Sequence, residues 1–147
     1  MIKEIYTFNT ELLGVKTGNI HQLPKAEFDW LLVALDEEMD EFIEAYNKQS
    51  IVDCVDSLLD LTYFAIGGLV RHGLTDEQIE KCFNAVHSAN MAKKMGQKAS
   101  RPTDGSVADA IKPDGWIAPE KVIKDILFSN QLELDLWDLL GILLILK

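Results

Sequence analysis

The sequence contains few of the residues that cross-link or interrupt a small fold. It has two cysteines, four prolines and nine glycines among 147 residues. Cys54 and Cys82 have neither metal-type nor redox-type spacing and cannot build a disulfide framework, so we expect a reduced, cytoplasmic protein. Because 48% of the residues are apolar, a collagen-like, low-complexity or disordered chain is excluded. The length fits one folded domain over residues 1–147.

Positive charge is also scarce. Lys and Arg number 14 against 24 Asp and Glu, which gives a net charge of -10 and a pI near 4.6. Such a protein repels polyanions, which argues against a nucleic acid polymer as partner. The net charge does not exclude a small phosphate-bearing substrate, because a bound divalent cation reverses the sign of the local field.

Long hydrophobic runs are missing as well. The most apolar stretch, 139–146, is far shorter than the roughly 20 residues that cross a bilayer, so we expect no membrane span. The first residues lack the basic and apolar regions of a secretory signal, so we expect none. The apolar segment 132–146 needs burial against the rest of the chain or a second subunit.

Apolar residues instead recur at helical spacing through the first 95 positions, which predicts an all-α bundle of four to five helices. We expect a helical core over about 1–95 and a loop with a C-terminal segment over 96–147. Start and stop signals predict the helix boundaries. The first helix covers 2–13, the second begins at Pro24 and ends at 47–50, and the third begins after an N-cap at Ser50 and ends at Gly73. A fourth helix begins at a capping box over 75–78, and a fifth follows a long loop and runs from Pro119 to Phe128.

The second and third helices differ in their apolar faces. The third is apolar almost all round, which predicts burial on most sides, except for an acidic row. In the second helix Glu37, Asp40 and Glu44 lie on the solvated face, whereas Glu38 lies at the edge of the apolar face and Glu41 just outside it. The stripe predicted to be buried comprises Phe28, Leu31, Leu32, Leu35, Met39, Phe42, Ile43 and Tyr46.

Acidic residues follow a regular spacing on both helices. Glu38 and Glu41 lie one turn apart, Asp53 and Asp56 repeat that spacing, and Asp60 follows one turn later. Two antiparallel helices with a short linker would place both pairs across one groove. Buried carboxylates repel each other and need a positive group, and oxygen ligands favour Mg²⁺ or Mn²⁺ over Zn²⁺. The alternatives are a solvated acidic face and, for Asp53, a role at the helix N-terminus.

These motifs resemble a known family. LDEEMDEFIEA over 35–45 and DCVDSLLDLTY over 53–63 are similar to the Glu-x-x-Glu, spacer, Glu-x-x-Asp signature of the MazG-like all-α nucleoside triphosphate pyrophosphohydrolases. The match covers about 5–95. Gly67, the turn at 72–73 and the motif at 86–93 resemble more specifically the Cof-like and phosphoribosyl-ATP pyrophosphohydrolase-like branch.

The resemblance implies a set of site residues. Mg²⁺, with Mn²⁺ as an alternative, would be held by Glu38, Glu41, Asp53 and Asp56, with Asp53 standing where the family usually has Glu. Asp60 and Tyr63 would lie beside the metal, and Asn90 and Lys93 would face substrate phosphates. His87 and Trp116 are further candidates for substrate binding. Trp116 would close over a base or, equally, anchor the long loop to the core.

The resemblance also implies the reaction and the assembly. The enzyme would cleave a (d)NTP-type nucleotide between its α and β phosphates, giving a monophosphate and pyrophosphate, with Glu38 or Glu41 accepting a proton from water. Family members assemble as dimers or tetramers, so we expect a homodimer or a higher homo-oligomer. Two alternatives stay open: hydrolysis of phosphoribosyl-ATP, and a non-enzymatic helical module whose acidic groove binds a basic partner.

Overall fold

The computed structural model describes residues 1–101 and 107–128. Helices dominate, and the all-α prediction is confirmed. The elements are α1 (Ile2–Thr7), a π-helical turn (Phe8–Leu12), α2 (Lys25–Asn47), α3 (Ile51–Arg71), α4 (Asp76–Met91), β1 (Lys94–Met95), β2 (Ala110–Ile111) and a helical segment α5 over 120–128.

The helix ends follow the signals in the sequence. Pro24 is the N-cap of α2, and the Ser50 hydroxyl caps α3 by accepting a hydrogen bond from the Asp53 amide at 3.3 Å. Gly73, with φ of 90°, supplies the left-handed residue that follows α3. At the start of α4, Thr75 and Gln78 exchange hydrogen bonds of 3.0 and 3.2 Å, which confirms the predicted capping box.

The chain forms two compact units, residues 1–79 and 80–147. The first contains α1 to α3, and the second contains most of α4 and everything after it. The first unit has 15 acidic and 5 basic residues, whereas the second has 9 of each. The entire net charge of -10 therefore belongs to the first unit. A single domain over the whole chain stays a prediction.

Helices α2 and α3 pack against each other as the main helix pair of the first unit. Only residues 48–50 join them, which makes them antiparallel neighbours. They pack closely at Gly68, where a β-carbon would lie 2.8 Å from Leu31 Cδ2. The absence of a side chain at Gly68 therefore leaves room for Leu31 between the two helices.

The predicted burial of the two apolar faces is wrong for the single chain. Ala34 and Ala45 are the buried residues of α2, whereas Phe28, Leu32, Met39, Ile43 and Tyr46 of the expected stripe are exposed. On α3, Ile51, Val52, Val55, Leu58, Leu59 and Leu69 are exposed too. Small residues are buried where the helices approach, and the first unit has too few helices to cover the large side chains.

The second unit carries two short strands and α5. Strands β1 and β2 pair in antiparallel fashion, with Lys94 opposite Ile111. Helix α5 begins after Pro119, as the sequence predicts. Within 1–101 and 107–128, no helix is long and apolar enough to cross a membrane. The apolar segment 132–146 lies outside the described residues.

Candidate functional site

The register of α2 and α3 brings acidic residues of both helices together. Glu38 follows Leu31 by two helical turns, and Asp60 precedes Gly68 by slightly more than two. At a rise of 1.5 Å per residue, Glu38 lies about 10 Å from Leu31 along α2, and Asp60 lies about 12 Å from Gly68 along α3. Because the two helices are antiparallel, both displacements point in the same direction. The Leu31–Gly68 contact therefore places Glu38 beside Asp60.

Glu38 is the most unusual carboxylate of this group. Its Oε2 atom is buried and makes no hydrogen bond to any described residue. Burial raises the pKa of the Glu38 carboxyl, and the negative charges of Glu41, Asp60, Asp56 and Glu37 raise that pKa further. The unpartnered oxygen and the surrounding like charges are what a carboxylate experiences at a cation-binding position.

Asp53 has a more exposed environment than Glu38. Asp53 is exposed in the first turn of α3, where its amide donates to the Ser50 hydroxyl and its carbonyl accepts from Ser57 at 3.0 Å. This position fits the alternative role of Asp53 at the helix N-terminus. Asp60, by contrast, is half-buried and lies close enough to act on Glu38.

The solvated face of α2 is confirmed. Glu37, Asp40 and Glu44 are exposed, and Glu44 pairs with Lys48 at 3.0 Å. Among the residues that the structure describes, no three His, Cys, Asp or Glu side chains converge closely enough to hold a metal ion. The acidic side chains near Glu38 therefore do not form a closed coordination shell. The donor atoms that they offer are all carboxylate oxygens.

Aromatic residues lie beyond the acidic group on α3. The Tyr63 ring, one turn after Asp60, packs edge-on against Phe8 with ring centroids 5.3 Å apart. Further along α3, the Arg71 guanidinium lies 4.4 Å from the Trp30 ring centroid and 3.3 Å from Glu27. The first unit thus places Tyr63 near its acidic residues but pairs Arg71 elsewhere.

The remaining candidates belong to the second unit. Lys93 Nζ donates to Asn90 Oδ1 at 2.6 Å, so these two predicted phosphate contacts are neighbours. Trp116 Nε1 donates to the Ala89 carbonyl at 2.7 Å, which fits the alternative that Trp116 anchors the loop. His87 is exposed, and its ring is stacked on Phe83 at 6.4 Å.

Sequence reasoning missed Lys112. Its ammonium group lies 4.4 Å from the centroid of the Trp116 ring, and that of Lys93 lies 5.7 Å from the same centroid. The only signal for Lys112 was its place before Pro113 in a turn-rich segment. Nothing in that pattern predicts a contact with a tryptophan four residues later.

An all-α core with facing acidic helices is the arrangement of the MazG-like nucleoside triphosphate pyrophosphohydrolase superfamily. Residues 16–90, just over half of the chain, match the phosphoribosyl-ATP pyrophosphohydrolase family. The chain belongs to this family, and it is a hydrolase that acts on phosphoric anhydride bonds. No curated protein matches the sequence. Membership supports the enzymatic interpretations over the non-enzymatic helical module.

Proposed function

We propose that the protein is a Mg²⁺-dependent nucleotide pyrophosphohydrolase, which cleaves its substrate between the α and β phosphates and releases a monophosphate and pyrophosphate. The observation that carries this proposal is Glu38. Its buried, unpartnered Oε2 lies among like charges that raise its pKa, which is costly unless a cation occupies the site in the working enzyme.

The residues near Glu38 fit a magnesium ion, because they offer only carboxylate oxygens. Glu38, Glu41 and Asp56 would hold the ion, and Asp60 is a better placed fourth ligand than Asp53. Bound Mg²⁺ supplies charge neutralisation on the phosphates. Mn²⁺ has the same ligand preference and would substitute.

The carboxylates themselves supply the proton acceptor. Glu38 and Glu41 lie one turn apart, and either carboxylate can accept the proton of an attacking water. Glu41 is exposed, so its carboxylate is open to solvent. Asp53 would contact the ion only through a water molecule, or would instead stabilise the N-terminus of α3.

Two substrates fit the reaction. A (d)NTP-type nucleotide has the required triphosphate, and the MazG-like signature favours it. Phosphoribosyl-ATP is the second candidate, because the family that matches residues 16–90 is named for it. Both present the same α–β anhydride bond, so the carboxylate site does not discriminate between them.

A substrate panel tests the proposal. Purified protein is incubated with the common ribo- and deoxyribonucleoside triphosphates and with phosphoribosyl-ATP, with Mg²⁺, with Mn²⁺ and with chelator. We expect pyrophosphate release that needs a divalent ion and favours one substrate class. Failure to release pyrophosphate from any of them with either ion would reject the proposal.

We further propose that the protein is a cytoplasmic homodimer or higher homo-oligomer. Large apolar residues such as Val55, Leu58 and Leu59 are 48–57% exposed in the single chain, and a stable protein rarely leaves such a cluster in water. A second copy packed on the α2–α3 pair would cover them. Both cysteines are free, which is compatible with a reducing cytoplasm.

A further inference from the structure

The second unit contains a groove of about 710 Å³ built from its own residues. Its lining on α4 combines small side chains such as Ala85 and Ala89 with Lys81 and Asn84, and the segment 113–119, which includes Asp114, also lines it. Val122 and Ile126 of α5 complete the lining. The volume lies in the range of small-molecule sites, and the lining is mostly apolar, which suits a flat organic group.

Trp116 gives this groove a fixed aromatic wall. Its indole N–H donates to the Ala89 carbonyl at 2.7 Å, so the ring is held against α4 at the point where Ala89 also lines the groove. Aromatic side chains held in this way provide a stacking surface for nucleobases, whatever the base. The apolar wall and the indole face therefore favour a planar, weakly polar ligand group.

Two ammonium groups stand at the rim of the same groove. Lys112 and Lys93 lie 4.4 and 5.7 Å from the Trp116 ring centroid. Trp116 lines the groove, so both ammonium groups lie over a ring that lines it, although neither lysine is itself a lining residue. Lysine ammonium groups bind phosphates as point charges.

We propose that this groove binds a nucleotide, with the base against Trp116 and the α4 alanines and the linked phosphates at Lys93 and Lys112. A nucleotide would use both features, because its base suits the apolar lining and its phosphates suit the ammonium groups that lie over the Trp116 ring. The choice of a nucleotide rests on the proposed function. Lys112 and Trp116 lie outside residues 16–90, so the family match does not include them.

Binding without metal tests the groove separately from catalysis. The full-length protein is titrated in chelator with α,β-methylene-ATP, which cannot be cleaved at the α–β bond, and with inorganic tripolyphosphate. The variants are Lys112→Gln and Ala85→Leu, the latter filling the groove. Lys124→Gln is the matched control, because it removes the same charge from α5 at a residue outside the groove lining, whereas Lys112 lies over the Trp116 ring.

We expect Lys112→Gln to weaken both ligands by about tenfold, the loss of one charge-assisted contact, and Lys124→Gln to change them by less than about twofold. Ala85→Leu should weaken α,β-methylene-ATP by about tenfold or more and leave tripolyphosphate binding intact. Helix content by circular dichroism verifies that each variant is folded.

Three results would overturn the inference: equal losses for Lys112→Gln and Lys124→Gln, no effect of Ala85→Leu on the nucleotide, or no metal-free binding by the unmodified protein. Pyrophosphate release with Mg²⁺, measured on the same samples, keeps the two proposals apart. Turnover without metal-free binding rejects the groove alone, whereas metal-free binding without turnover rejects the proposed function alone.

Discussion

Leu31 on α2 and Gly68 on α3 approach so closely that a β-carbon at position 68 would lie 2.8 Å from Leu31 Cδ2. Glu38 and Asp60 lie about two helical turns from this contact, in the same direction along the helix pair. A β-carbon at position 68 would force the end of the Leu31 side chain to shift, so a larger residue there must repack the contact between the two helices.

The variant Gly68→Val therefore tests the helix spacing. We expect a loss of about 1–3 kcal/mol in the free energy of unfolding, as for other overpacked sites, together with a fall in pyrophosphohydrolase activity. Ala65→Val is the control, because Ala65 is exposed on the same helix and should lose only about 0.5 kcal/mol through helix propensity. Similar losses for both variants in chemical denaturation would contradict the close packing.

The sequence contained local signals but not the helix register. Ser50 and the pair of Thr75 and Gln78 were identifiable as caps, because capping depends on residues three apart. The contact between Leu31 and Gly68 was not, because it depends on how two helices slide against each other. The exposure of large side chains on α3 was missed for a similar reason: helical periodicity reports an apolar face and not the surface that covers it.

Divalent metal should stabilise the folded protein. A ligand that binds only the folded state adds about 1.4 kcal/mol for each tenfold rise in its concentration above the dissociation constant. Thermal melts over a Mg²⁺ series should show this rise in the unmodified protein and in Glu44→Gln, whose side chain pairs with Lys48 on the solvated face. The rise should be absent or much smaller in Asp56→Asn. A melting temperature that does not change with Mg²⁺ or Mn²⁺, either alone or together with nucleotide, would contradict the metal site.

Asp109 gives a pH prediction in the second unit. A hydrogen bond from the Ala110 amide lowers the pKa of Asp109 below its ordinary value of 3.8, and Arg101 lowers it further. A depressed carboxyl pKa means that Asp109 contributes stability above pH 3.8, and that this contribution is lost as the pH falls through the folded-state pKa. An NMR titration of the Ala110 amide should have a midpoint below 3.8. A midpoint at or above that value would contradict this hydrogen bond.

The assembly can be tested through its proposed interface. Light scattering should give the unmodified protein a mass of at least twice the 16.5 kDa of one chain. Leu59→Glu, which places a charge at a residue 57% exposed in the single chain, should shift that mass toward one chain. Met95→Glu changes a residue 87% exposed on β1 and should leave the mass unchanged. A monodisperse single chain before any substitution would reject the homo-oligomer.

The central claim is that Glu38 and its neighbouring carboxylates would hold the divalent ion needed for hydrolysis of an α–β phosphoanhydride by water. Phosphorus NMR of the reaction, run with Mg²⁺ on Glu38→Gln and its neighbour control Glu37→Gln, tests it most directly. We predict pyrophosphate and nucleoside monophosphate without orthophosphate, a rate for Glu38→Gln reduced by about 100-fold or more, and a nearly unchanged rate for Glu37→Gln. Orthophosphate as the product, or equal rates for the two variants, would contradict the account.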